Sequence, residues 1–394
     1  MSNQSRQTPI LLRVILYLLV AAVAFSVGYI VRQPKVAKGS DKLAELSQVI
    51  EKNFIGEADP QAMEDGAAAG MVAALGDRWS YYIPASEYDA YMEQMENAYV
   101  GIGVTISTEN TEVGFEVLQV EPNGGALEAG IRPGDLITHV NGELVTELGV
   151  DEAKNRIRGD VNTSVNLTVS RDGNSMEMTV TRKLVQVVVA KGEMLEGNIG
   201  LITINNFDDR CASETIAAIE GLLAQGAQAL IFDVRNNPGG YKHELVEVLD
   251  YLLPEGVLFR SISNNGRETT DRSDKACLEM PMAVLVNENS YSAAEFFAAA
   301  LEEYDWAVTV GSHTVGKSYF QQTLPLSDGS AIGLSVGKYC TPNGVSLAEV
   351  GGLEPNISVD VDDETFANIY ADLLAPEEDP QIQAAIEAVK QATP

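Results

Sequence analysis

Residues 284–296 read VLVNENSYSAAEF, and the change of pattern inside that run decides the fold. VLVN is a short apolar run of the kind that forms a buried strand, whereas SAAEFFAAALEEY, residues 292–304, places its apolar residues at a helical period. Ser292 therefore stands where strand turns into helix. A serine hydroxyl is a poor nucleophile until its proton is removed, and Lys317, in GKSYFQ at 316–321, carries an amine that can remove it. Lysine does so only when neutral. That requires a pKa near 7 instead of about 10.4, a shift worth about 4 to 5 kcal/mol that demands a desolvated site. The same serine fits a second account: Ser-x-x-Glu at a helix start is a capping box, with Ser292 bonding the amide of Glu295 and the Glu295 carboxylate reaching back.

Working outward, DVRNNPGG at 233–240 is a strand followed by a glycine-rich turn whose amides can face a developing oxyanion. After residue 190 strands and helices alternate: IGLITINNF, a helix from Ser213 to Gln225, ALIFDVR, a helix from Lys242 to Leu253, then AVLVN and its helix. Such alternation argues for a parallel sheet with covering helices. Short strands over 307–344 would carry Lys317 towards Ser292, and DPQIQAAIEAVKQ closes the chain as an amphipathic helix.

NENSYSAAE, then GKSYFQ, preceded by DVRNNPGG, resembles the C-terminal processing (tail-specific) serine peptidase family over nearly the whole chain. The resemblance implies Ser292 as nucleophile, Lys317 as general base, Gln321 as the residue that orients the lysine, and Glu295 as an acidic neighbour of less settled role. The Ser-to-Lys interval of 25 residues matches the family's. Gly239 or Gly240, with the amide of Ala293, would form the oxyanion hole, and the sequence does not choose between the glycines. Asn289 and Tyr291 stand where smaller residues are expected, and Ser318 follows the lysine where glycine is commoner. These departures bear on substrate fit more than on chemistry.

Residues 97–184 resemble a PDZ domain, on YVGIGVTIS, then VLQVEPNGGALEAGIRPGDLITHVNGELV, then VNLTVSR. Such domains bind an extended peptide as an added strand and hold its terminal carboxylate on backbone amides, here expected at Gly101, Ile102 and Gly103. The expected partners are protein or peptide substrates with free C-termini.

The expected fold is multidomain α/β: residues 1–39 a tail and transmembrane anchor, 40–96 a helical arm for packing or dimerisation, 97–184 the PDZ domain, 185–365 a peptidase core distantly like the crotonase fold, and 366–394 a C-terminal helical segment. The anchor rests on the apolar run 10–31, whose uncharged part from Val14 is long enough to cross a bilayer. Its placement would put the protein at the cell membrane with the catalytic part outside the cytoplasm. Arg32, Lys35, Lys38 and Lys42 after the run argue for the opposite orientation.

A net charge of −31 argues against nucleic acid, whose phosphates call for clustered Lys and Arg. Three widely spaced cysteines imply no disulfide framework, and His139, His243 and His313 have no metal-ligand spacing, so neither metal nor cofactor is expected. Two rival functions remain: a silent peptide-binding scaffold in which Ser292 is only a cap, and a Ser-His hydrolase using His243 or His313. Against the latter, no GxSxG elbow surrounds Ser292.

Overall fold

The computed structural model describes residues 39–107, 113–371 and 373–392. The chain divides into two units, one ending at Gly76 and the other beginning at Asp77. The described part of the first unit is a pair of helices, Gly39–Asn53 and Pro60–Ala73. Asp59 starts the second of them: its carboxylate accepts from the amides of Gln61 and Ala62, and Pro60 fills a first-turn position that needs no donor. Leu46, Val49, Phe54, Ile55, Met71 and Leu75 of this unit are exposed.

In the second unit, Ala98–Gly101 and Lys183–Gln186 pair as an antiparallel ribbon that brackets a small β domain. Its sheet runs in the order Val104–Ile106, Phe115–Val120, Leu136–Val140, Ser164–Arg171, Asn174–Thr181. Alternation puts Val165, Leu167 and Val169 inside with Phe115, Val117 and Ile137, and Ala153 and Ile157 of helix Val150–Ile157 close over them. Val104–Ile106 lies at the edge of this sheet, so one side of it is free to pair with another strand.

The larger core is built on a six-stranded sheet ordered Ala190–Leu195, Ile199–Ile204, Ala229–Asp233, Met282–Val286, Val308–Gly311, Ile357–Ser358. The first pair is antiparallel and the rest parallel. Both faces are covered, which is why these strands read as continuous apolar runs. Ile202, Ile204, Leu230, Phe232, Val284 and Val286 face helices 211–224, 242–252 and 293–303, while Leu201, Ile231, Ala283 and Leu285 face the C-terminal helix Pro380–Ala392. A second sheet holds Tyr81–Ile83, Ala331–Cys340, Gly256–Ser263 and Glu268–Ser273 in that order, with Tyr319–Pro325 also paired to 331–340.

Helix Ala293–Glu303 packs against strands of both sheets, and every residue from Ala293 to Leu301 is buried. Its alanines let both sheets come close. Phe296 meets Phe259 of one sheet edge-on at 4.9 Å, and Phe297 meets Phe232 of the other at 5.4 Å. The chain after each of three neighbouring parallel strands, 229–233, 282–286 and 308–311, supplies one loop to the same end of the sheet, where ligands settle in open α/β folds.

The expected fold class needs one correction. The anchor expected over residues 10–31 lies outside the described residues, and among the described residues no helix is long and apolar enough to cross a membrane. The longest, Gly39–Asn53, has 15 residues where a span takes about 20. The described architecture is thus mixed α/β with a PDZ-like β domain and an α/β core, and no membrane-crossing helix belongs to it.

Candidate active site

Ser292 caps the buried helix with φ 58° and ψ −124°, a conformation that costs a non-glycine residue about 1 to 3 kcal/mol and persists only where its surroundings impose it. Those surroundings are two loops tied together. The Asn287 side chain accepts from the Asn236 amide (2.9 Å) and donates to the Asn236 side chain (2.9 Å). Ser290 Oγ donates to the Val234 carbonyl at 2.7 Å, and the Tyr291 amide donates to the Asn237 carbonyl at 3.1 Å. The turn bearing the glycines is thereby fixed against the turn bearing the serine.

Glu295 is fully buried, and its carboxylate accepts four hydrogen bonds. Oε2 takes the amides of Ser292 (3.0 Å) and Lys317 (2.8 Å); Oε1 takes the Thr314 hydroxyl (2.5 Å) and the Gly316 amide (2.6 Å). A buried carboxylate is tolerable only when so satisfied. This one side chain therefore joins the backbone of the serine to the backbone of the lysine.

Gly239 packs directly on the serine: a Cβ there would come within 2.8 Å of Ser292 Cβ and of the Ala293 nitrogen, so only glycine fits, and its φ of 87° suits glycine as well. Its amide, however, donates to Asn237 Oδ1 at 2.8 Å. Gly240 bridges Phe207 through its neighbours, the Phe207 amide donating to the Gly239 carbonyl and the Tyr241 amide to the Phe207 carbonyl, both at 2.7 Å. In such a parallel bridge the amide of Gly240 itself points away from Phe207. Beside it, burial and then the charge of Glu244 push the Asp208 carboxyl up to about 7, and Asp208 Oδ1 is buried without a hydrogen-bond partner among the described residues.

Lys317 is half-buried, and its pKa is lowered, chiefly by burial. Glu295 and Asp77 oppose that shift and Arg78 adds to it. Gln321 does not reach the lysine: its amide donates to the Tyr319 carbonyl (3.0 Å) and to Ser335 Oγ (3.1 Å). Neither histidine near the glycine turn or the lysine bonds Ser292. His243 is exposed, stacks on Tyr241 at 5.3 Å and sits 3.5 Å from Glu244, while His313 lies 3.9 Å from Glu354.

Two sequence-family models match, the PDZ domain over residues 116–171 and peptidase family S41 over 198–359. The chain is 31% identical over 328 residues to the carboxy-terminal processing protease CtpA of Bacillus subtilis, covering 82% of this chain and 69% of that protein. The chain belongs to peptidase family S41. It is a serine peptidase of the carboxy-terminal processing type, and it is also 30% identical over 355 residues to a probable CtpA-like serine protease of Staphylococcus aureus, covering 87% of this chain and 70% of the other. A crystal structure of a putative S41 protease from Bacteroides fragilis shares the fold, with a TM-score of 0.55 at 15% identity over 88% of this chain and 97% of that one.

In this peptidase the loop Gly101, Ile102 and Gly103 is held from inside its domain, the Ile102 and Gly103 carbonyls accepting from the Ala126 and Glu121 amides at 2.8 and 3.0 Å. Between that loop, the edge strand and helix Val150–Ile157 lies a groove of about 320 Å³ whose walls include Ile102, Ile106 and Ile157, with Lys154 and Arg158 at one side. Sequence reasoning missed Asn236, Asn237, Asn287, Ser290 and Thr314. The paired asparagines of DVRNNPGG and VNENS were the available signal, since short amides next to glycine or a nucleophile commonly bond the backbone.

Proposed function

We propose that the peptidase cuts protein substrates near their C-termini through a Ser292–Lys317 dyad, with the PDZ groove taking the free tail. The observation that carries this reading is the single carboxylate of Glu295 bonding the backbone of both Ser292 and Lys317, which sets nucleophile and base in one frame. Neutral Lys317 takes the proton of Ser292 Oγ as that oxygen attacks the scissile carbonyl. The amides of Gly240 and Ala293 receive the negative oxygen, because the Gly239 amide is occupied by Asn237. The lysine ammonium then gives its proton to the leaving amine, and water releases the acyl group from Ser292 by the same steps.

In the PDZ domain the tail would add to the free edge of Val104–Ile106, its carboxylate on the amides at Gly101–Gly103 and its last apolar side chain among Ile102, Ile106 and Ile157. The exposed apolar side chains of the first unit support a homodimer, which sedimentation would reveal. Action outside the cytoplasm, expected from the family resemblance, belongs to the same proposal and is tested by protease shaving of intact cells. The main test compares an unfolded substrate bearing an apolar free C-terminus with the same substrate amidated there. Cleavage of the free acid should be about tenfold more efficient, and equal rates would remove the tail from the reading.

A further inference from the structure

Hydrogen bonds account for almost every polar group of the site, but none of them engages the Lys317 amine among the described residues. Its neighbours are rings. Nζ lies 4.6 Å from the centroid of Trp79 and 5.4 Å from that of Tyr291, and the two rings stack with centroids 6.1 Å apart and planes 29° from parallel. Both distances are within cation–π range. The rings come from fixed supports. The Trp79 amide donates to Asp77 Oδ1 at 3.2 Å, Ser80 Oγ donates to Asp77 Oδ2 at 2.6 Å, and the Ser335 amide donates to Ser80 Oγ at 3.1 Å, which fastens this turn to strand Ala331–Cys340. Tyr291 is the residue before the nucleophile, pinned through its own amide.

We propose that Trp79 is a positioning residue of the cleavage reaction, holding the Lys317 amine with Tyr291 by the faces of their rings. The proposal rests on Lys317 being the base. A ring face attracts an ammonium yet has no lone pair to take its proton. A carboxylate in the same place would fix the lysine as a cation, and water would leave it solvated and strongly basic. Two rings instead form a slot that covers the amine without taking its proton. The substitution of Tyr291 for a smaller residue before the nucleophile gains a reason here, since a small side chain would leave the slot open on one side. The charged groups that act on this amine are Glu295 and Asp77, which favour the ammonium, and Arg78, which disfavours it and itself lies 4.2 Å from the Trp79 centroid.

Because the rings cover the amine and burial is what lowers its pKa, removing one admits water and raises the lysine pKa. The acid limb of the pH profile of kcat/KM should therefore move to higher pH. The experiment records that profile on a short peptide for wild type, Trp79→Leu, Trp79→Phe and Lys317→Met, with circular dichroism on each. Trp79→Leu should shift the limb up by about half a unit and reduce kcat about tenfold at unchanged KM, and Trp79→Phe, which still covers the amine with a ring, should shift it less and restore most of kcat. If the leucine variant does not fold, an upward shift in the phenylalanine variant supports the proposal by itself. Unmoved limbs in the folded variants, with Lys317→Met inactive, overturn the role of Trp79 and leave the base assignment standing. An active Lys317→Met overturns the base assignment, and this proposal with it.

Discussion

The two halves of the proposed Ser292–Lys317 dyad are held by opposite means. Ser292 sits in a strained conformation, its amide on Glu295, the Tyr291 amide before it on the Asn237 carbonyl, and its turn tied to the glycine turn through Asn236 and Asn287. The Lys317 backbone shares that frame, but its amine at the end of four methylenes faces the rings of Trp79 and Tyr291. Hydrogen bonds fix atoms in direction as well as distance, whereas ring faces fix a cation loosely and leave its proton mobile. In the proposed mechanism the nucleophile is held by directional bonds, and the base keeps the freedom that proton transfer requires.

The largest effect expected is on the dyad itself. Ser292→Ala and Lys317→Ala should each lower kcat by at least about 10³-fold with the fold retained, as removal of a nucleophile or base does elsewhere. Lys317→Arg should fail equally, since guanidinium does not give up its proton. Wild-type activity should rise with pH through an apparent pKa below 10.4, because burial lowers the lysine. An active arginine variant would dissolve the distinction between fixed nucleophile and mobile base.

Glu295→Gln comes next. A carboxamide accepts on one oxygen only, so it faces two of the four donors with a hydrogen-bearing nitrogen, and the frame shared by the two halves should loosen. Stability should fall by about 2 to 3 kcal/mol in urea unfolding and kcat by about 10²-fold, with KM little changed. A loss of stability without loss of kcat would mean that the frame supports the fold and not the geometry of the dyad.

Gln321→Ala should have the smallest effect. With its amide on Tyr319 and Ser335, we expect about a threefold loss of kcat at unchanged KM and unchanged pH profile. A drop beyond tenfold, with the acid limb displaced, would give the lysine a hydrogen-bonded partner and bring the two halves closer in kind.

The parts that were legible in the sequence are those governed by local pattern. VLVN and SAAEFF state a strand and a helix, and the alternation that follows 190 states a parallel sheet, because burial on both faces leaves a continuous apolar run. Four features were not legible, each for a spatial reason. Trp79 reaches Lys317 across most of the chain, with no periodicity to mark the pairing. The choice between Gly239 and Gly240 depends on which way Asn237 turns its side chain. The position of Gln321 depends on a register irregularity between Phe320 and Gln321, which re-aims the residues after it, and no composition signal encodes that shift. The extent of burial of helix 293–303 depends on a second sheet whose strands lie before and after it in the chain.

That helix also limits how such an enzyme can diversify. Ala293, Ala294, Ala298, Ala299 and Ala300 are all buried between two sheets, and overpacking such a core costs about 1 to 3 kcal/mol per site. New specificities cannot be reached by remodelling the floor beneath the nucleophile. They must come from the loops at the strand ends and from the groove proposed to take the substrate tail, so selection can vary what is cut while the alanine-lined floor stays as it is.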